Sequence, residues 1–224
     1  MCGRFTLTAD LDFLIERFQI DYPIAFEYRP RYNIAPSQGV TVVIRGEQGH
    51  KMGELRWGFV PFWAKDPSIG YKMINARSET AGTKASFKQA LQKQRCLILA
   101  DSFYEWKKEK NRKQPYRIML KNGEPFAFAG LWSIWEKDGS RLATCTILTT
   151  SANSRVADLH DRMPVILPKE AEQLWMDPRT DAAVVSGLMA QYPSDAMTLY
   201  PVSDAVNSPK NDEASLIEPL SQPE

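Results

Sequence analysis

The segment from residue 95 to residue 150 constrains the fold most strongly, because it alternates short apolar runs with turn signals. The runs are rich in β-branched and aromatic residues and lie at residues 95–100, 116–120, 126–135 and 142–150. Runs of this composition between turn residues are typical of strands. Asn122-Gly123 is a strong hairpin signal. We therefore predict a series of antiparallel hairpins, in which the strands on either side of Asn122-Gly123 pair with each other.

The rest of the chain adds further strands and a few helices. A hairpin is predicted from residue 40 to residue 57, with its turn over residues 46–49, and a last strand over residues 197–202. A helix capped by Thr8 is expected to run to about Gln19, because its apolar residues recur at helical spacing. Further helices are expected near residues 86–91, 154–159, 169–176 and 181–191.

No linker, repeat or low-complexity tract divides the 224 residues. We predict a single α+β domain over residues 1–224, whose core is a mainly antiparallel, barrel-like β-sheet with peripheral helices. The polar tail from about residue 208 is expected to be extended.

Charge, cysteine content and missing motifs exclude several classes of protein. Because 28 Lys and Arg residues face 27 Asp and Glu residues, any contact with nucleic acid must come from a local basic patch. Three cysteines without a CxxC pair argue against a disulfide framework or a zinc site, and Cys96 and Cys145 are expected to be buried. Nucleotide-binding, metalloprotease and serine-hydrolase motifs are absent. Without a signal peptide or a membrane-spanning run, a cytoplasmic protein is expected.

The sequence begins Met1-Cys2, and a methionine before so small a residue is easily removed. Cys2 would then carry an α-amine and a thiol, both usable nucleophiles near neutral pH. The amine alone gives an aldehyde a hydrolysable imine, whereas the adjacent thiol can close a durable thiazolidine ring. Taken alone, however, this stretch favours a frayed terminus whose cysteine has no function.

Two residues are candidates for proton transfer. Glu105 lies between Tyr104 and Trp106, where burial would raise the pKa of its carboxyl group; the alternative is a buried ion pair with an arginine. His160 precedes Asp161, which could orient its ring; the alternative is a capping or structural histidine.

Other candidates suit contact with a ligand. Asn75 and Arg77 are two residues apart, so an extended segment would place them on the same face. Phe62 and Trp63 lie in a loop broken by glycine and proline, and if exposed they could stack on bases. Each residue taken singly has an ordinary alternative: a turn asparagine, a surface arginine, or core aromatic residues.

Taken together the motifs are specific. Six occur in order: Met-Cys-Gly-Arg-Phe at 1–5, Arg-Tyr-Asn-Ile-Ala-Pro at 31–36, Trp-Gly-Phe-Val-Pro at 57–61, Ile-Asn-Ala-Arg-Ser-Glu-Thr at 74–80, Phe-Tyr-Glu-Trp at 103–106 and His-Asp-Arg-Met-Pro at 160–164. This set resembles the SOS response-associated peptidase (SRAP) family over nearly the whole chain. The resemblance implies a protein that crosslinks to abasic sites in single-stranded DNA through a thiazolidine on Cys2 and shields the lesion, with autopeptidase and weak lyase activity.

The resemblance also implies roles for individual residues. It assigns catalysis to Cys2, Asn75, Glu105 and His160, and DNA binding to Arg4, Phe62, Trp63, Arg77, Trp106 and Arg162. Glu105 would move protons, His160 would assist opening of the sugar ring, and Asn75 would hold the terminal cysteine. Neither a metal nor an organic cofactor is expected. The expected partner is single-stranded or junction DNA, bound by a monomer in the cytoplasm and, with DNA, at the nucleoid.

Two other functions stay open. An N-terminal-nucleophile peptidase acting on proteins would use the same Cys2 and would turn over peptides. A non-catalytic module for single-stranded DNA would bind equally well after Cys2→Ser.

Overall fold

The computed structural model describes residues 2–22, 26–110 and 112–220. Its strands are β1 (Phe5–Leu7), β2 (Arg31–Ile34), β3 (Gly39–Arg45), β4 (His50–Trp57), β5 (Asn75–Arg77), β6 (Arg95–Ala100), β7 (Ser102–Lys108), β8 (Lys113–Leu120), β9 (Phe126–Lys137), β10 (Ser140–Ser151), β11 (Arg162–Pro164), β12 (Ile166–Leu167) and β13 (Met197–Pro201). Its α-helices are α1 (Leu11–Arg17), α2 (Ser78–Ala81), α3 (Lys88–Lys93), α4 (Glu172–Met176) and α5 (Ala182–Leu188).

Five strands close into a barrel. In the order β10, β4, β3, β6 and β9 each pairs with the next, and β9 pairs back onto β10. All of these pairs are antiparallel except β4 with β10. Closure leaves these five strands without an open edge inside the ring, so their apolar faces meet in one interior. The predicted α+β fold with a mainly antiparallel, barrel-like sheet is confirmed.

A second sheet of five antiparallel strands, in the order β13, β8, β7, β1 and β2, lies beside the barrel. The hairpin predicted around Asn122-Gly123 is wrong, because β8 pairs with β7 and β13 whereas β9 belongs to the barrel. The turn itself forms, with Gly123 at a φ of 72°. A turn reverses the chain locally, but burial over the whole strand selects its partner.

An aromatic cluster joins the two sheets. The ring of Phe5 on β1 lies 5.2 Å from that of Trp57 and 5.5 Å from that of Phe128, both of them edge-on contacts. All three side chains are buried. Cys96 and Cys145 are buried as predicted. Since edge-to-face aromatic pairs stabilise their arrangement beyond simple burial, this cluster fixes the position of β1 and of the residues just before it.

Several predicted elements have other boundaries. Helix α1 begins at Leu11, because the amide and hydroxyl groups of Thr8 donate to the carboxylate of Asp101 and do not cap the helix. Helix α3 has Phe87 at its N-cap and begins at Lys88. Residues 154–159 form consecutive turns where a helix was expected, and residues 31–34 form a strand.

Residues 209–220 are not an extended tail, contrary to the prediction. A 3₁₀ helix covers Ala214–Ile217, and Leu216 is fully buried in a small cluster with Tyr104, Val202 and Val206. Burial of its apolar residues therefore holds this segment against the protein despite its polar composition. Among the helices of the described ranges, none combines the length and apolar character needed to cross a bilayer.

Candidate active site around the first cysteine

The segment before β1 is held against β7. The Tyr104 amide donates to the Arg4 carbonyl at 2.9 Å, and one step further along this register Gly3 lies opposite Glu105. Cys2 is fully buried, and its Sγ lies 4.0 Å from the carbonyl oxygen of Arg4. Cys2 is therefore an ordered residue of the core, which removes the alternative of a frayed terminus.

One end of β10 brings the other candidates to this place. There β10 pairs in parallel with β5, so that Thr149 lies in register with Arg77 and Asn75 is two residues away on the same face. The same end of β10 pairs antiparallel with β11, which starts at Arg162, two residues after His160. Residues separated widely in the sequence therefore meet at one edge of the barrel.

Asn75 connects the barrel to the N-terminal segment. Its Nδ2 donates to the carbonyl oxygen of Cys2 at 2.8 Å. Its Oδ1 is buried and accepts no hydrogen bond from the described residues. Buried polar atoms nearly always have a hydrogen-bond partner. The Oδ1 atom of Asn75 is therefore well placed to accept a hydrogen bond from a further donor.

Burial controls the protonation of the acid and the thiol. It raises the pKa of Glu105, and the charge of His160 partly opposes that rise. The pKa of the Cys2 thiol is also raised, first by burial and then by the charge of Glu105. These effects link Glu105 by charge to Cys2 and to His160. They also mean that the thiol of the unreacted protein is neutral near pH 7.

Two groups compete for Nδ1 of His160. The Arg162 amide lies 2.9 Å away and can only donate, whereas an oxygen of the Asp161 carboxylate lies 2.8 Å away and can only accept. We assign Nδ1 as the acceptor, because the Arg162 amide is fixed in β11 while the Asp161 side chain is 85% exposed. In the neutral ring the proton therefore resides on Nε2, and Asp161 can replace the amide as partner when the ring is protonated.

A cleft of about 940 Å³ opens beside the site. Its walls are Glu105, Trp106, the turn before His160 and the basic tip of the β7–β8 hairpin, with Lys108, Arg112 and Lys113. The indole nitrogen of Trp106 donates to Asn207 at 2.7 Å, which ties this ring to the segment after β13. Glu105 and His160 thus face a space large enough for part of a polymer chain.

The family model described as SOS response associated peptidase (SRAP) matches residues 1–209. The chain belongs to the SRAP family. This membership confirms the resemblance inferred from the motifs.

Named relatives of the SRAP chain match it over nearly its whole length. The abasic site processing protein YoqW of Bacillus subtilis (strain 168) is 50% identical over 222 residues, covering 97% of this chain and 99% of the relative. YedK of Escherichia coli (strain K12), described in the same words, is 34% identical and covers 98% and 100%. A crystal structure of a protein from Bacteroides thetaiotaomicron has a TM-score of 0.90 at 24% identity, covering 98% of this chain and 100% of that chain, and supports the fold alone.

Two of the three arginines expected to bind DNA are engaged within the SRAP protein. Arg4 donates to the side chain of Asn33 at 2.9 Å and to the carbonyl oxygens of Val206 at 2.6 Å and Asn207 at 3.1 Å. Burial lowers its pKa. Arg4 therefore fastens the segment after β13 to the site, and a DNA contact by Arg4 stays a prediction.

Arg162 is held by a residue that the sequence did not single out. Its two terminal nitrogens donate to the two oxygens of Glu79 at 2.6 Å and 2.9 Å, and one of them also donates to the Thr149 carbonyl at 2.6 Å. Arg77, by contrast, is exposed. The only sequence signal for Glu79 was its place in the motif at 74–80, which does not reveal its partner.

Three exposed aromatic residues lie in the segment between β4 and β5. Phe62 and Trp63 are 53% and 50% exposed, as the sequence indicated, and Tyr71 is 64% exposed with the guanidinium of Arg56 5.1 Å from its ring centroid. A Cβ on Gly70 would lie 2.6 Å from the backbone oxygen of Gly58, so the two loop segments need glycine where they meet. The sequence analysis did not single out Tyr71 as an exposed aromatic residue. The only indication was that a large aromatic side chain follows Gly70 in a polar segment.

Proposed function

We propose that this SRAP protein recognises abasic sites in single-stranded DNA and joins them covalently through Cys2 after Met1 has been removed, thereby shielding the lesion. The names of the relatives at 50% and 34% identity support the substrate. The observation that carries the chemistry is the burial of Cys2 between Asn75 and Glu105, because a nucleophile needs this restraint to gain from proximity.

The first step is imine formation. An abasic deoxyribose is in equilibrium with a ring-opened aldehyde at C1′. The Cys2 amine attacks this carbon, and loss of one water leaves a carbon–nitrogen double bond. Glu105 relays protons from the attacking amine to the carbonyl oxygen, so that the amine loses two protons in all and the oxygen departs as water. A carboxyl group whose pKa is raised by burial suits this relay near neutral pH.

The second step closes the ring. The Cys2 thiol adds to the imine carbon, its sulfur forming the new carbon–sulfur bond while its proton goes to the imine nitrogen. Because burial keeps the thiol neutral, a base must take that proton as the sulfur attacks, and Glu105 is the neighbouring carboxylate. No proton is gained or lost overall, and neither step requires a metal or an organic cofactor.

His160 and Asn75 prepare the reaction. With Nδ1 accepting the Arg162 amide, His160 carries a proton on Nε2 that can protonate the sugar oxygen and open the ring. Asn75 fixes the Cys2 carbonyl, and its buried Oδ1 is suited to accept a hydrogen bond from the amine once Met1 is gone. Both roles follow the family resemblance.

The DNA would be single-stranded at the lesion. Phe62 and Trp63 would stack on bases and Arg77 would bind phosphate, a path that a continuous duplex would resist. The same amine chemistry supports weak strand cleavage by β-elimination. Removal of Met1 would be assisted by Glu105 or performed by an aminopeptidase, and we propose that the protein acts as a monomer.

Intact mass spectrometry after mixing with an abasic single-stranded oligonucleotide tests this function. We expect one species whose mass is that of the protein without Met1 plus the oligonucleotide minus one water. An oligonucleotide with a tetrahydrofuran at the same position, which cannot form an aldehyde, is the control and should give no adduct. An adduct on protein that retains Met1 would contradict the proposal. Turnover of peptides without any DNA adduct would favour the peptidase instead.

A further inference from the structure

The ion pair between Glu79 and Arg162 closes one side of the proposed DNA path. Both terminal nitrogens of the guanidinium face both oxygens of the carboxylate, at 2.6 Å and 2.9 Å. A third hydrogen bond, from Arg162 to the Thr149 carbonyl at 2.6 Å, fixes the guanidinium against β10. A carboxylate therefore fills the fork with which an arginine would hold a phosphate.

The two partners differ in exposure. The Glu79 side chain is 51% exposed, whereas the Arg162 side chain is only 13% exposed. Glu79 can consequently turn into solvent at little cost, while Arg162 stays attached to Thr149. An incoming anion with two acceptor oxygens could thus replace Glu79 without any rearrangement of the strand.

Arg77 shows where such an anion would lie. It is exposed and lies in register with Thr149, the residue whose carbonyl oxygen holds Arg162. Arg77 and Arg162 therefore both lie next to Thr149 of β10. Arg77 is exposed to solvent, whereas Arg162 is paired with Glu79. A DNA backbone crossing this point meets Arg77 first and reaches Arg162 only by displacing Glu79.

We propose that Glu79 is an internal substitute for a DNA phosphate, which occupies Arg162 in the free protein and is displaced when the lesion-bearing strand enters. The proposal rests on the proposed function. The pair would make the protein selective for lesion-bearing strands. Every strand that binds must spend free energy to break the Glu79–Arg162 pair, and only a strand that also inserts its sugar at Cys2 recovers that free energy. Arg162 lowers the pKa of Glu79 to about 2, so the pair persists at neutral pH and competing anions, not protons, open it.

Removal of the charge of Glu79 tests the proposal. We would measure binding of a single-stranded oligonucleotide containing tetrahydrofuran by fluorescence anisotropy over a range of salt concentrations. Glu79→Gln should bind about two- to fivefold more tightly at low salt, since a partly exposed ion pair no longer has to be broken. The slope of log K against log salt should stay nearly the same, because the bound strand makes the same phosphate contacts in both proteins.

Two controls separate this effect from a general gain of positive charge. Glu136→Gln removes the same charge from a pair with Arg141, 2.9 Å apart and exposed at the tip of the β9–β10 hairpin, and should change affinity less. In an Arg162→Gln background, Glu79→Gln should give no gain. If Glu79→Gln lowers the melting temperature, Glu79→Asp, which keeps the charge but shortens the side chain, should show the same direction of effect.

The results distinguish failure of the Glu79 proposal from failure of the proposed function. Binding by Glu79→Gln that is weaker than, or equal to, that of Glu136→Gln would show that Glu79 only braces the site, and the proposal would be wrong while crosslinking by the native protein remained. A native protein that neither binds nor crosslinks the abasic strand would overturn the proposed function as well.

Discussion

Substitution of Cys2 by alanine separates the two nucleophiles that the proposed reaction requires. Cys2→Ala keeps the α-amine after Met1 is removed but lacks the thiol. The amine should still form an imine with an abasic strand, whereas the ring that makes the adduct durable cannot close. We therefore expect no adduct under simple incubation, and an adduct when borohydride reduces the imine as it forms.

The structure also assigns a cost in stability to this change. From the sequence the terminus would carry little of the core, but Cys2 is fully buried within the main hydrophobic cluster. Removing a buried group about the size of a methylene costs about 0.8 kcal/mol in transfer free energy, and an unfilled cavity adds a comparable amount. The expected loss is about 1–2 kcal/mol in the free energy of unfolding. For a chain of this size it lowers the melting temperature by about 2–8 °C.

Cys145→Ala is the matched control, because Cys145 is also fully buried in that cluster but lies on β10. It should lose a similar amount of stability and retain the durable adduct. Denaturing gels with and without borohydride, together with thermal melts of both variants, complete the experiment. A durable adduct of Cys2→Ala without reductant would remove the thiol from the mechanism. The absence of any reduced adduct in a folded Cys2→Ala protein would remove the amine.

Other variants test the remaining parts of the site. Glu105→Gln should slow adduct formation at least tenfold in single-turnover assays; unchanged rates would deny Glu105 its role. Because burial raises the pKa of Glu105, its ionised form is less favourable in the folded than in the unfolded protein, so native stability falls as pH rises through that pKa. Glu105→Gln should therefore melt above the native protein at neutral pH, and this difference should vanish below the ordinary carboxyl pKa of about 4.3. Asn75→Ala should reduce the crosslinking rate more than the affinity for tetrahydrofuran DNA, and the opposite pattern would make it a binding residue. Trp63→Ala should weaken that affinity by about 1–3 kcal/mol if the ring stacks on a base, whereas equal affinity would remove Trp63 from the interface.

Local sequence patterns predicted most strands but only some of their partners. The hairpin of β3 and β4 and the buried strand β6 agree with the sequence, because their turns and apolar runs are local features. The Asn122-Gly123 turn led to a wrong prediction for the same reason. It reverses the direction of the chain but does not determine which strands pair. Eight of the 12 residues of strand β9 are buried, because the strand is part of the closed barrel. Such long-range burial cannot be read from a short window.

The residues of the site were predictable by type but not by their partners. The motifs identified Cys2, Asn75 and Glu105, and the structure brings these three together. Glu79 was missed because its arginine partner lies 83 residues away, across β10, in a pairing that only the barrel topology creates. Isolated charged residues in a sequence are usually solvated, so no local pattern predicts that these two form a pair.

The position of the first cysteine shows why the fold, and not the motif alone, would make it reactive. A terminal residue that moves freely has its amine and thiol in many orientations, and it gains little from their proximity to a bound sugar. Here Phe5 is packed between Trp57 and Phe128, and Asn75 holds the Cys2 carbonyl. The aromatic core thus restrains the chain three residues after the reacting Cys2. Under the proposed function, the entropy that an unrestrained terminus would lose during the reaction has already been lost during folding.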